Sequence, residues 1–143
     1  MTIHQISVFL ENRSGKLSEI TAVLSDNHVD LRAISIAETA DYGVLRLIVD
    51  DAQRASSILL EHGFILTMTP VVAVAVPDKP GGLAAVLGVL SKAEVDIEYM
   101  YSVFGQKNGL AYMIFRVADP AVLDAVLTQN GLASVPGDEL GIH

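Results

Sequence analysis

Ile6, Val8 and Leu10 alternate with Ser7 and Phe9, the two-residue period of a strand with one buried face. A polar turn, Glu11-Asn12-Arg13-Ser14-Gly15, follows, and then Leu17, Ile20 and Leu24 fall on one face at helical spacing. Residues 28–37 read as a second strand, with Leu31, Ile34 and Ile36 apolar. The turn around Asp41-Tyr42-Gly43 joins it to a third strand as a hairpin. Asp50-Asp51 places acidic side chains at a helix start, where the helix dipole favours them. Ala55, Ile58, Leu59 and His62 continue that helix to a stop at Gly63, and residues 64–69 close the series as a fourth strand.

The series then begins again. Residues 71–76 predict a strand, 81–93 a helix, 96–104 a strand, and 106–109 a turn with an Asn-Gly pair. Residues 110–117 predict a further strand, Asp119-Pro120 a helix start with proline in the first turn, and 132–135 a last short strand. Single positions match as well as periods. Gly15 returns as Gly81, Leu17 as Leu83, Leu24 as Leu90, Val29-Asp30 as Val95-Asp96 and Gly43 as Gly109, all about 66 positions on. Asp51 returns as Asp119 and Gly63 as Gly131, with the spacing about two residues longer. A register kept through loops as well as apolar runs is an internal duplication.

The predicted order is therefore β-α-β-β-α-β twice. Right-handed crossovers make each copy an antiparallel four-stranded sheet with both helices on one face, a ferredoxin-like α+β unit. The expected domains are residues 1–69 and 70–143, related as a pseudo-twofold pair, with residues 136–143 a loose tail. Away from the core face of the first helix, Ser18, Ala22 and Ser25 match Ala84, Gly88 and Ser91. Such residues are common on exposed helix faces. A glycine inside a helix costs about 1 kcal/mol against alanine, however, so Gly88 predicts close packing there.

Composition narrows the setting. Hydrophobic residues make up 51% of the chain and the mean hydropathy is +0.45, high for two small units. A copy of roughly 65–70 residues is marginal alone, so burial between copies or chains, as a homodimer or higher homo-oligomer, is expected. A net charge of −8 with scattered Lys and Arg opposes binding to nucleic acid or an anionic membrane. No cysteine means no disulfide, thiolate nucleophile or Cys-bound zinc. The amino-terminal stretch lacks a basic segment before an apolar run, so a cytoplasmic location is expected.

The turn before the first helix of each copy carries the chemistry. Leu10-Glu11-Asn12-Arg13-Ser14-Gly15-Lys16-Leu17 and Val76-Pro77-Asp78-Lys79-Pro80-Gly81-Gly82-Leu83 share a pattern of apolar residue, short polar side chain, base, Ser or Pro, Gly and Leu. Glycine at such a turn lets backbone approach a ligand, and the helix-start amides suit an anion such as a carboxylate. Val-Asp-Leu/Ile follows each turn at the start of the next strand, with Asp30 and Leu31 in one copy and Asp96 and Ile97 in the other.

With these turns and strand starts the chain resembles the ACT domain family, small regulatory domains of amino-acid metabolism, over nearly its whole length. The resemblance implies a free amino acid bound at the interface between two such domains. Asn12, Ser14 and Gly15 would face Asp96 and Ile97, and Asp78, Pro80 and Gly81 would face Asp30 and Leu31. In serine-sensing dehydrogenases of the family the turn reads His-Glu-Asn-Arg-Pro-Gly and the strand start carries Asn. Leu10, Ser14 and Asp30 replace that His, Pro and Asn, which argues against serine as the ligand but not against the position of the site. A zwitterion needs amide donors for its carboxylate and acceptors for its ammonium, and turn and strand start supply these in kind. Asn12 and Asp78 also suit plain turn or capping roles, so that alternative stays open.

Catalytic signals are thin. His4, His28, His62 and His143 show no metal-ligand spacing, and no Gly-x-Ser-x-Gly, His-Glu-x-x-His or phosphate-loop motif occurs. The expectation is a non-enzymatic sensor without metal or cofactor. Its alternative is a regulatory subunit docked on a separate biosynthetic enzyme.

Overall fold

A computed structural model describes residues 2–11, 13–38 and 42–143. The elements are β1 (Ile3–Glu11), α1 (Lys16–Asp26), β2 (Leu31–Glu38), β3 (Tyr42–Val49), α2 (Ala52–Glu61) and β4 (Ile65–Pro77). They continue as α3 (Gly82–Lys92), β5 (Tyr99–Lys107), β6 (Leu110–Arg116), α4 (Pro120–Gln129) and a 3-10 turn at Gly137–Leu140. Two compact units divide the chain. The first holds His4–Thr69 and Gly141–His143, and the second holds Met1–Ile3 and Pro70–Leu140.

In the first unit the strand order is β2-β3-β1-β4, with β2 at the edge. Ile6, Val8 and Leu10 of β1 and Leu45, Leu47 and Val49 of β3 share one sheet face, as the two-residue period requires. Ile20 and Leu24 of α1 and Ala55 and Leu59 of α2 cover that face. Leu17, expected in this core, stays 43% exposed in the first helical turn. The second unit orders β4-β6-β5, with β5 at the edge and an isolated bridge from Val74 to Ser134 on the other side of β4. Its core is Val72, Val74, Val76, Val86, Leu90, Phe115, Val117, Leu123 and Leu127. Each of these answers a core residue of the first unit, from Ile6 with Val72 to Leu59 with Leu127. The repeat read from sequence is thus a repeat of buried positions.

The slip of two residues has a structural cause. Ser102 pairs with Met113 and Gln106 with Ala111, so residues 103–105 of β5 stand against residue 112 alone. That bulge, with Gly105 at φ 85°, inserts the extra residues before the hairpin turn. It also corrects one match. Gly43 lies inside β3 opposite Leu10 and Glu38, whereas Gly109 (φ 72°) follows Asn108 (φ 54°) in the tight turn between β5 and β6. The turn expected around Asp41 lies outside the described residues.

Three further expectations change. The strands predicted at 64–69 and 71–76 are one strand, β4, running through Pro70; its carbonyl accepts a bond from Arg116 Nη1 at 2.9 Å. The last strand shrinks to the Val74–Ser134 bridge, beside a Val135 N–H bond to the Ala73 carbonyl at 2.7 Å. The tail is not loose. Residues 137–140 form a 3-10 turn, and the His143 N–H bonds the Asp50 carbonyl at 2.6 Å.

The helix starts behave as their residues require. Asp51 caps α2 by accepting the Arg54 N–H at 3.1 Å, and Asp119 caps α4 by accepting the Ala121 N–H at 3.1 Å. Helices α1 and α3 end alike. His28 (φ 56°) and Glu94 (φ 57°) take the left-handed conformation, and Val29 and Val95 donate back to the carbonyls of Leu24 and Leu90. These ends place Asp30 directly before β2 and Asp96 before β5, which begins at Tyr99 and not at residue 96 as expected.

Candidate functional site

The two glycine turns are built by the same bonds. In the first unit Arg13 N–H donates to the Glu11 carbonyl (2.9 Å), Lys16 N–H to that of Arg13 (3.4 Å), and Glu19 N–H to that of Gly15 (2.9 Å). In the second, Lys79 donates to Pro77 (3.0 Å), Gly82 to Lys79 (3.0 Å) and Ala85 to Gly81 (3.0 Å). Gly15 (φ 89°) and Gly81 (φ 83°) are the N-caps of α1 and α3, and neither helix has a side-chain cap. The left-handed backbone is what demands glycine, because an added Cβ would meet nothing within 4 Å at either position. An α-helix leaves its first amides without intrahelical partners. With Lys16 and Gly82 bonded within the turns, the amides of Leu17 and Ser18, and of Leu83 and Ala84, have no backbone partner among the described residues.

The N-cap of α3 is Gly81, three residues after Asp78, and the Asp78 N–H donates to the Gly109 carbonyl at 2.9 Å. Ser14, Gly15, Pro80 and Gly81 are all exposed on the turns. Asn12 lies outside the described residues. A hollow of about 190 Å³ flanks the first turn, lined by Leu10, Glu11, Lys16 and Phe64 among others.

Asp30 and Leu31 line a cleft of about 370 Å³ at the end of α1, together with Thr21, Ser25 and His28. Ser14 and Gly15 are not in that cleft. The Asp30 backbone is fixed from both sides: its N–H donates to Asp50 Oδ1 (3.1 Å), and its carbonyl accepts the Asp50 N–H (3.0 Å). Its carboxylate accepts a bond from Arg32 Nη1 at 3.2 Å. In the second unit Asp96 is exposed and Ile97 half-buried. At the position matching Arg32 stands Glu98, whose carboxylate pairs with Arg116 at 3.1 Å and whose N–H donates to the Arg116 carbonyl at 2.9 Å. Among the described residues no cation pairs with Asp96.

Sequence reading did not single out Arg32 or Thr21, and it gave Asp50, Ser25 and His28 no part in a site. The signal available for Arg32 was the reversal of charge against Glu98 in an otherwise matched pair of strand starts. Among the described residues no cluster of acidic, His or Cys side chains has the makings of a metal site, and no helix is long and apolar enough to cross a membrane.

Comparison with known proteins agrees with this architecture. The chain resembles the protein BT0572 from Bacteroides thetaiotaomicron, with 40% identity, 99% of this chain and 96% of that one covered, and a TM-score of 0.90. The ligand-free regulatory subunit of aspartate kinase from Thermus thermophilus shares the fold at 17% identity, covering 86% of this chain and 89% of that one, with a TM-score of 0.60. Escherichia coli aspartokinase III, solved with lysine and aspartate, shares it at 14% identity and a TM-score of 0.53; 90% of this chain matches 31% of that one. No protein of curated function matches the chain. The profile of the ACT domain pair family matches residues 1–142, and with the glycine turn and its core built twice, the chain belongs to that family.

Proposed function

We propose that this protein is a regulatory sensor of amino-acid metabolism that binds a free amino acid where the glycine turn of one ACT unit meets the second-strand start of another. One observation carries the reading: at a glycine-capped helix start in one unit, amides with no backbone partner among the described residues, and before the second strand of the other an exposed aspartate that no described cation neutralises. The ligand carboxylate is held by the amides of Leu17 and Ser18 after the Asn12-Ser14-Gly15 turn, and its ammonium by Asp96 beside Ile97. The reciprocal candidate is Asp78, Pro80 and Gly81 with Asp30 and Leu31, where Arg32 already sits on the aspartate. The protein carries out no reaction of its own and acts in the cytoplasm through ligand-dependent contacts.

The facing unit, in this reading, comes from a second copy, making a homodimer. Strands β2 and β5 each end a strand order, so their outer backbone groups have no strand partner among the described residues of their own unit. Ile36 on β2 and Phe104 on β5 are each 48% exposed, apolar contacts suited to such pairing. A second reading, docking on a separate biosynthetic enzyme, is favoured by the likeness to the Thermus chain, itself a regulatory subunit and matched over 89% of its length.

A thermal-shift screen with each of the twenty proteinogenic amino acids tests the proposal. A ligand present at 100-fold its dissociation constant adds about 2.7 kcal/mol of stability. At least one amino acid should raise the melting temperature; no shift with any of them contradicts the reading.

A further inference from the structure

We propose that Arg32 makes the two strand starts unequal: it occupies Asp30 and leaves Asp96 as the only aspartate of the pair able to take a ligand ammonium, so each chain binds one amino acid rather than two. This rests on the amino-acid reading above and adds its stoichiometry. The two strand starts descend from one repeat, with Val29-Asp30-Leu31 matched by Val95-Asp96-Ile97 and the same left-handed residue before each. They differ two residues after the aspartate. In the first unit the Arg32 guanidinium sits 3.2 Å from the Asp30 carboxylate, with 28% of the arginine side chain exposed. In the second unit Glu98 turns to Arg116 instead, which also reaches the Pro70 carbonyl.

An exposed ion pair contributes little by itself. Arg32 also lies against the chain end, however, and the aspartate it pairs with is fixed in place. The chain end returns to this unit, with the His143 N–H on the Asp50 carbonyl, and a Cβ at Gly141 would lie 3.5 Å from Arg32 Nε. Asp50 in turn grips the Asp30 backbone. A ligand ammonium arriving at Asp30 must therefore displace a guanidinium already seated there. At Asp96 no cation among the described residues stands in its way.

Calorimetry on the full-length protein, titrated with each of the twenty proteinogenic amino acids, decides the matter through stoichiometry. The wild type should bind one molecule per chain. Arg32→Ala should bind a second, and Arg32→Lys, which keeps the charge, should remain at one. Asp96→Asn should weaken the wild-type event at least tenfold, the scale of a lost charge-assisted bond. Glu98→Arg, which copies the first unit's arrangement into the second, should weaken it likewise. Two equal events in the wild type, or one event in Arg32→Ala with the variant folded by circular dichroism, overturns the inference while leaving amino-acid binding intact. Binding of no amino acid by wild type or Arg32→Ala overturns both.

Discussion

Gly82 lies so close to Pro77 that a Cβ built on it would stand 1.9 Å from the Pro77 carbonyl oxygen and 3.0 Å from its carbon. Both contacts are backbone, so neither can swing away. The matched residue in the first unit is Lys16, which carries a side chain, and its turn bond is longer, 3.4 Å against 3.0 Å. The second turn is therefore the tighter of the two, and glycine is its condition. Gly82→Ala should destabilise the protein by roughly 1–3 kcal/mol, the range for forced overpacking, read as a lower urea midpoint. An unchanged midpoint contradicts the tight turn.

Gly88 is the opposite case. It is exposed within α3, and an added Cβ would meet nothing within 4 Å, so no contact in the described chain requires glycine there. Gly88→Ala should raise stability by about 0.5–1 kcal/mol through the lower helix cost of alanine. Destabilisation on thermal unfolding would mean that the helix face is already occupied, as by a second copy.

The aspartate caps should act independently. Asp51→Ala and Asp119→Ala each remove one side-chain bond to a helix-start amide and should each cost about 1 kcal/mol. The double variant should lose the sum, since the caps stand in separate units. Denaturant unfolding of the three variants checks both statements.

Self-association follows from edge strands and apolar content. Sedimentation equilibrium at micromolar concentration should give a mass at least twice the 15.2 kDa of one chain. A monomer mass throughout that range removes the proposal that a second copy supplies the facing unit.

Much of the fold was legible because burial repeats. The alternation of Ile6, Val8 and Leu10 and the helical spacing of Ile20 and Leu24 appear as the core, and their counterparts do so in the second unit. What periodicity could not show was where the register slipped. A bulge at residues 103–105 leaves no break in an apolar pattern, so Gly43 was matched to a turn glycine instead of to its strand equivalent. Pro70 looked like a boundary because proline lacks the ladder donor, yet β4 passes through it. The polar tail gave no period from which to read its return to Asp50. At the site, the glycine turns were visible as motifs, whereas the difference between Asp30 and Asp96 depends on where Arg32 and Glu98 point, and that is geometry.

The central claim is that an amino acid bridges the amides at the start of α1 and the strand start at Asp96. Backbone-amide NMR during titration with the amino acid that most raises the melting temperature tests it most directly. The account predicts that the Leu17, Ser18 and Ile97 amides shift together, along one binding curve, and that Asp96→Ala weakens that curve roughly tenfold or more. Shifts confined to other parts of the chain, or a curve untouched by Asp96→Ala, would contradict it.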